Sequence, residues 1–321
     1  MLLHRYFGSH AFETLKEAKL LASRISSFND PFEFLYVCEF GKMTPDLARQ
    51  LVRSYRSDPG LLLQLVGLNK QLPISATERE IQRLLDKSEP LIVEGLLNDW
   101  PAIANKTDLT LERRKQIIDQ ESRAICFSDP SRVKRLDEIL LWSHYANKHR
   151  GVRVGFEFPY RRSERFEIVE MEYREDRVKV NCSFWAEADA LKRLEESARV
   201  KSKAWEYERE FRLFTKTNLC EPKKIEQLHP HPFPKGLEVV ICRVIYWGLH
   251  RLFGKSDSLP TVEHFLEFKR DWVRTVDFGA LCPDNEIQLV SDLLKTDYLD
   301  VIARKAAFHK TEYALEYKEI H

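Results

Sequence analysis

The densest run of ionisable and aromatic side chains is Lys203-Ala204-Trp205-Glu206-Tyr207-Glu208-Arg209-Glu210-Phe211-Arg212-Leu213-Phe214. From Glu208 the residues alternate as a strand does, which predicts Glu208 and Glu210 on one face and Arg209 on the other. Two carboxylates held side by side repel, so one of them keeps its proton more tightly unless a cation or a substrate lies between them. That is the electrostatic basis of an acid/base site. The same residues also suit a solvated edge strand whose carboxylates pair with Lys203, Arg209 and Arg212.

Two further polar clusters stand apart from the apolar periodicity. Ser26-Ser27-Phe28-Asn29-Asp30-Pro31-Phe32-Glu33 reads as a turn, because Asn29 and Asp30 can bond their own backbone and Pro31 fixes the exit direction. His144 and Tyr145 follow the apolar run Ile139-Leu140-Leu141-Trp142, where a histidine serves as a base or as a hydrogen-bonded packing residue. Trp142 and Trp205 suit a core or a pocket wall, and an indole can also stack a nucleobase. Gly151, after His149, fits a positive backbone angle at the entry to a strand. His229 and His231 lie in a proline-rich stretch without nearby carboxylates or cysteines, a poor metal site.

Elements that could position these groups follow from the spacing. Strands are expected at Leu2–Phe7, Lys19–Ser23, Ser122–Phe127, Gly151–Phe158, Phe166–Tyr173 and, nearly all apolar, Leu237–Trp247, with one or two more within Ala306–Ile320. Helices are expected at Phe12–Ala18, Arg135–Tyr145, Ser183–Val200, Phe265–Val276 and Ile287–Leu294. Residues 43 to about 120 carry helical periodicity, with Pro45 near a helix start, a break at Asp58-Pro59-Gly60 and a capping box at Ser75 and Glu78. Helices and strands mix without a regular βαβ alternation, which argues for an α+β fold over a doubly wound parallel sheet.

The 321 residues, 43% of them apolar, suffice for a core, and we expect a single α+β domain over residues 1–321 with a helical insert at about 43–120. Lys and Arg number 51 against 50 Asp and Glu, so the net charge of +1 gives no bulk attraction to nucleic acid or to an anionic membrane. The six cysteines are widely spread without a CxxC pair, which favours reduced thiols over a zinc site or a disulfide framework. The opening MLLHRYFGSH lacks the apolar centre of a signal peptide, and no run of about 18 apolar residues occurs. The expectation is a cytoplasmic protein with no membrane partner.

The order of three clusters, Ser27 to Glu33, Leu141 to Val152, and Lys203 to Arg212, resembles the bacterial family known as domain of unknown function 2971, and Leu3-His4-Arg5-Tyr6-Phe7 suits it too. The resemblance spans roughly residues 2 to 250 and implies no activity by itself. A weaker resemblance implies chemistry. A strand with His or Arg, a small helix, a second strand with a Ser/Asn turn, and a late Glu-x-Glu are similar to the split sheet of ADP-ribosyltransferases, giving a mixed or mostly antiparallel split sheet. Carried over, that resemblance implies that Arg5 or His4 holds NAD, that Ser23 or Ser26 supports the ribose, and that Glu210 is the catalytic carboxylate with Glu208 as its partner.

The leading expectation is therefore an NAD-using ADP-ribosyltransferase-like enzyme, of the kind that acts in toxin or defence settings. Its cofactor would be the nucleotide NAD, with no metal, and its target a protein or nucleic acid that the sequence does not name. Asn29, Asp30, Trp142, Tyr145, Lys203 and Trp205 would line the same cleft. Two alternatives differ in class. A metal-dependent nuclease would use Asp30, Glu208 and Glu210 with Lys203 around a Mg²⁺ and a phosphate. A ligand-sensing or partner-binding domain would use the cleft without turnover.

Overall fold

A computed structural model describes residues 1–39, 42–54, 78–181, 187–224 and 262–320. The chain forms two compact units, one of Met1–Phe28, Glu121–Met171 and Tyr207–His321, the other of Asn29–Gln120 and Glu172–Glu206.

The first unit is built on an eight-stranded sheet. Its strands are β1 (Leu2–Phe7), β4 (Ser122–Ser128), β5 (Val152–Glu157), β6 (Glu167–Glu170), β10 (Glu210–Lys216), β13 (Val273–Phe278), β14 (Ile302–Phe308) and β15 (Leu315–Glu319). Their order is β15-β14-β13-β5-β1-β4-β10-β6, antiparallel throughout except for the parallel pair β13 and β14. With helices α1 (Ala11–Glu17), α4 (Arg135–Tyr145) and α6 (Asp284–Asp297), this is the α+β class that the mixed spacing predicts. A small sheet of β2 (Lys19–Ala22), β11 (Glu221–Lys224) and β12 (Val262–Glu267) completes the unit.

Strand alternation divides the large sheet into two chemically different faces. Leu3, Phe7, Ile125, Phe127, Val154, Phe156, Phe211, Leu213, Val276 and Phe278 share one core with Leu15 of α1 and Val290 and Leu294 of α6. The other face carries Tyr6, Arg153 and Asp277 in register and is packed by Trp142 of α4. There Arg153 and Arg304 both hold the Asp277 carboxylate, at 2.8 and 2.6 Å, and Arg153 also bonds Glu138. Burial pulls the Arg153 guanidinium down, but Asp277 and its other partners hold it well above its usual value.

The second unit contains β3 (Tyr36–Glu39), paired in parallel with β8 (Val178–Asn181), and β7 (Glu172–Arg174), paired in parallel with β9 (Val200–Ser202). Its helices are α2 (Pro45–Ser54), α3 (Glu78–Glu121) and α5 (Glu187–Ser197). Two prolines, Pro90 and Pro101, lie inside α3. The helical periodicity from 43 to 120 thus corresponds to α2 and α3, while β3 just before it carried no clear strand signal.

Two expectations are corrected here. Phe265–Val276 is not helical but consists of β12, a short 3-10 turn at Arg270–Trp272 and β13. Phe265, Phe268, Trp272 and Val276 mimic helical spacing although they belong to successive segments, β12, the link after it, the 3-10 turn and β13, and the last three are buried in the core. Phe166–Tyr173 is also not one strand, since it divides into β6 and β7, which belong to different units. The break at Asp58-Pro59-Gly60, the capping Ser75, the pair His229 and His231 and the strand Leu237–Trp247 fall outside the described residues, as do Cys182 and Cys242. Cys38, Cys126, Cys220 and Cys282 are thiols, with no disulfide among these described residues.

Candidate functional site

Glu210 is the first residue of β10, and its register fixes its neighbours. It pairs with Ser128 of β4, which pairs with His4 of β1, which pairs with Gly155 of β5, which pairs with Thr275 of β13. Paired residues in antiparallel strands present their side chains to the same face. Thr275, Gly155, His4, Ser128 and Glu210 therefore form one row across five strands, on the face opposite the apolar core. His4, Ser128 and Glu210 are all buried, at 7%, 5% and 2% exposure.

The sheet opens at this row. β5 follows β1 along its whole length, but β1 meets β4 at the single register position His4 against Ser128. Farther along β4, Ser23 takes over the edge by exchanging backbone hydrogen bonds with Ala124, at 3.0 and 2.8 Å. In the gap between, the Arg5 Nη1 donates to the Cys126 carbonyl at 2.9 Å. Arg5 stands on the apolar face, with its guanidinium over the Phe7 and Phe127 rings at 5.5 and 5.9 Å. Arg5 thus closes the split from the core side, whereas His4 lies on the side of Glu210. Of the two residues open to a cofactor role at this strand, the register favours His4.

Around His4 the packing is close. A Cβ on Gly155 would lie 2.3 Å from the Thr275 Oγ1 and 3.3 Å from the His4 Cδ2, so only glycine lets both side chains approach across this position. The Thr275 hydroxyl oxygen is buried with no hydrogen-bond partner among the described residues. Burial lowers the His4 imidazole from 6.5 to about 2, and the cations Arg153 and Arg304 push in the same direction. His4 is therefore a neutral imidazole at physiological pH.

Glu210 faces a cation on its own strand. The Arg212 Nε donates to the Glu210 Oε1 at 2.8 Å, with the two side chains 1% and 2% exposed, and the Phe28 ring lies 4.6 Å from the Arg212 guanidinium carbon. Glu208 is not on the same strand face. It ends the 3-10 helix Lys203–Glu208, and Arg209 then takes φ of 47°, a left-handed conformation that breaks the alternation before β10 begins. The strand pattern in the sequence runs two residues too far, because a charged, non-glycine residue gives no warning of a left-handed turn. The Tyr145 hydroxyl donates to the Glu208 Oε1, and beside it the Tyr207 hydroxyl and the His144 Nδ1 lie 3.0 Å apart.

The remaining expected residues divide by unit. Trp142 is fully buried in the first, its indole N–H spent on the Tyr317 hydroxyl at 3.0 Å, which favours core over nucleobase stacking. Ser23 is bound through its backbone to β4, and Ser26 is exposed at the surface. Asn29, Asp30, Lys203 and Trp205 belong to the second unit. There the Asp30 Oδ1 accepts the Phe32 N–H at 2.9 Å, the backbone turn that its residue type implies. Lys203 pairs with Glu175 at 3.2 Å, and Trp205 carries the buried Lys201 ammonium 4.9 Å from its ring centre.

Sequence reading missed Ser128 and Thr275, which acquire meaning only through register. It also missed the cause of the glycine at 151. The consecutive positive φ angles belong to Asn147, Lys148 and His149, and Gly151 is needed because a Cβ there would lie 1.9 Å from the Phe7 carbonyl oxygen. Among the described residues no group of three or more His, Cys, Asp or Glu could hold a metal ion, so the nuclease alternative finds no metal cluster there. No described helix is long and apolar enough to cross a membrane.

No curated protein and no solved structure matches the chain. Residues 141–213, which carry Trp142, Tyr145, Glu208 and Glu210, are similar to a family described as proteins of unknown function (DUF2971), whose model matches this segment.

Proposed function

We propose that the first unit binds NAD at the opening of its sheet and transfers or hydrolyses its ADP-ribose group. The observation that carries this reading is the row of His4, Ser128 and Glu210 at the position where β1 and β4 part. A carboxylate, a hydroxyl and a neutral imidazole are the groups that ribose hydroxyls and a developing positive charge require. The buried Thr275 hydroxyl, which Gly155 lets approach His4, extends the same polar row and fits a sugar better than a hydrocarbon. Bound NAD would supply an activated glycosidic bond.

The roles of the chain's own groups follow from their positions. Glu210, held by Arg212, stays ionised and oriented, and its negative charge stabilises positive charge at the ribose carbon as the bond breaks. Neutral His4 is an acceptor or donor for a hydroxyl without adding a competing positive charge. Tyr145 holds the Glu208 carboxylate beside the site.

Binding without turnover is the second reading, and the buried Glu210–Arg212 pair favours it, because a carboxylate committed to a cation is less available to a substrate. Thermal melting with NAD, run beside an assay of nicotinamide release, separates the two. A raised melting temperature with release supports transfer, and a raised melting temperature without release supports sensing. No shift with millimolar NAD would overturn both.

A further inference from the structure

The large sheet of the first unit ends in β15, which pairs with β14 and with no other strand among the described residues. An edge strand leaves half of its backbone groups open to another strand. Two hydrogen bonds flanking the ladder show which half. The Ile320 N–H donates to the Ala303 carbonyl and the His309 N–H donates to the Ala314 carbonyl, both at 3.0 Å. Backbone bonding alternates along an antiparallel strand, so the even-numbered residues of β15 bond β14, while Leu315, Tyr317 and Glu319 turn their N–H and carbonyl groups to the open edge.

The charges on this strand are poorly matched within the chain. Lys318 is exposed and stands in register with Lys305 of β14, whose ammonium donates to the Cys282 carbonyl at 2.9 Å. Like charges directly opposite one another across a sheet repel, and Lys318 has no ion pair among the described residues. Glu316 lies on the same face of the strand, half exposed, with its Oε1 3.4 Å from the His309 Nε2, an ion pair only when that imidazole is protonated.

We propose that β15 is a dimerisation edge, on which a second copy of this chain lays its own β15 antiparallel about a two-fold axis at Tyr317. Residues with outward backbone groups then meet one another, Tyr317 against its own copy and Leu315 against Glu319 of the partner subunit. Between them Glu316 falls opposite Lys318 of the partner subunit, and the symmetry repeats the pair. These are non-hydrogen-bonded positions, where facing side chains approach most closely. An axis at Glu316 or at Lys318 would instead set like charge against like, and an axis between residues would set outward backbone groups against inward ones. A lysine on an edge strand ordinarily guards it against pairing, but here the facing glutamate turns the guard into an attraction. The dimer doubles the eight-stranded sheet.

The inference does not rest on the NAD reading, and sedimentation velocity of the full chain over a dilution series tests it. A species of twice the mass of one chain is expected, half dissociated at about 10 µM, because one added strand pair makes a small interface. Lys318→Glu and Glu316→Lys each make both symmetry-related pairs repulsive, and each should weaken association about tenfold or more. Mixed in equal amounts, the two variants should associate about as tightly as the wild type, since each supplies the charge that the other lacks, and this recovery also shows that both are folded. Glu319→Pro removes an outward N–H without removing a bond to β14, and it should weaken association about tenfold as well. A wild type that stays monomeric at about 100 µM would overturn the proposal. So would a dimer indifferent to both charge variants, or a mixture of the two that associates no better than either alone.

Discussion

His4 is buried as a neutral base, and this has a measurable sign. The unfolded chain gains a proton on His4 as pH falls below 6.5, whereas the folded chain does not until about 2. The unfolded state therefore binds more protons in this window, and stability is lost as pH falls through it, by up to about 1.4 kcal/mol per pH unit. His149 and His264 are also lowered by burial and act in the same direction. Between about pH 7 and about pH 5, the melting temperature of the wild type should fall more steeply than that of His4→Gln. Parallel slopes would show that His4 titrates normally in the fold. At Glu210 the relevant quantity is the buried ion pair. Glu210→Gln removes the carboxylate that the Arg212 Nε meets at 2.8 Å and should cost about 3–5 kcal/mol in urea unfolding, with a large part of it recovered when Arg212→Leu is added. An additive double variant would contradict the pairing.

At the scale of elements, the corner from Trp142 to Val152 is tightly constrained. The His149 N–H bonds the Trp142 carbonyl at 3.2 Å, the Gly151 N–H bonds the Ala146 carbonyl at 2.9 Å, and the chain between them turns through three left-handed residues. Gly151→Ala would drive a methyl group into the Phe7 carbonyl of β1, and we expect a loss of about 3 kcal/mol or more by chemical unfolding. A near-neutral Gly151→Ala would mean that β1 and the corner can separate. Helix α4 was legible to the residue from its apolar run, and β1, β2, β4 and β5 were legible within a residue or two from alternation. The split between β1 and β4 was not readable from any local pattern, because it depends on Ser23 and Arg5 satisfying backbone groups more than 100 positions away in sequence. The site was legible in part for the same reason. Glu210 and His4 carry recognisable chemistry, but their common row depends on Ser128, an ordinary strand-end serine, and Glu208 left the strand face because of a backbone angle at Arg209.

At the scale of the whole molecule, a net charge of +1 leaves selectivity to local groups rather than to a long-range field. On the face of the sheet opposite the apolar core, Arg153 and Arg304 are balanced by Asp277 and Glu138, and Glu210 is offset by Arg212. Selection of the proposed ligand would then rest on geometry and on hydrogen bonds. If Glu210 acts on NAD as proposed, nicotinamide release by the wild type and by Glu210→Gln, compared at a temperature where melting shows both to be folded, will differ. Turnover is expected in the wild type and a fall of about a hundredfold or more in Glu210→Gln, with the NAD-induced melting shift retained. Equal turnover in the two proteins, or none in the wild type, would contradict it.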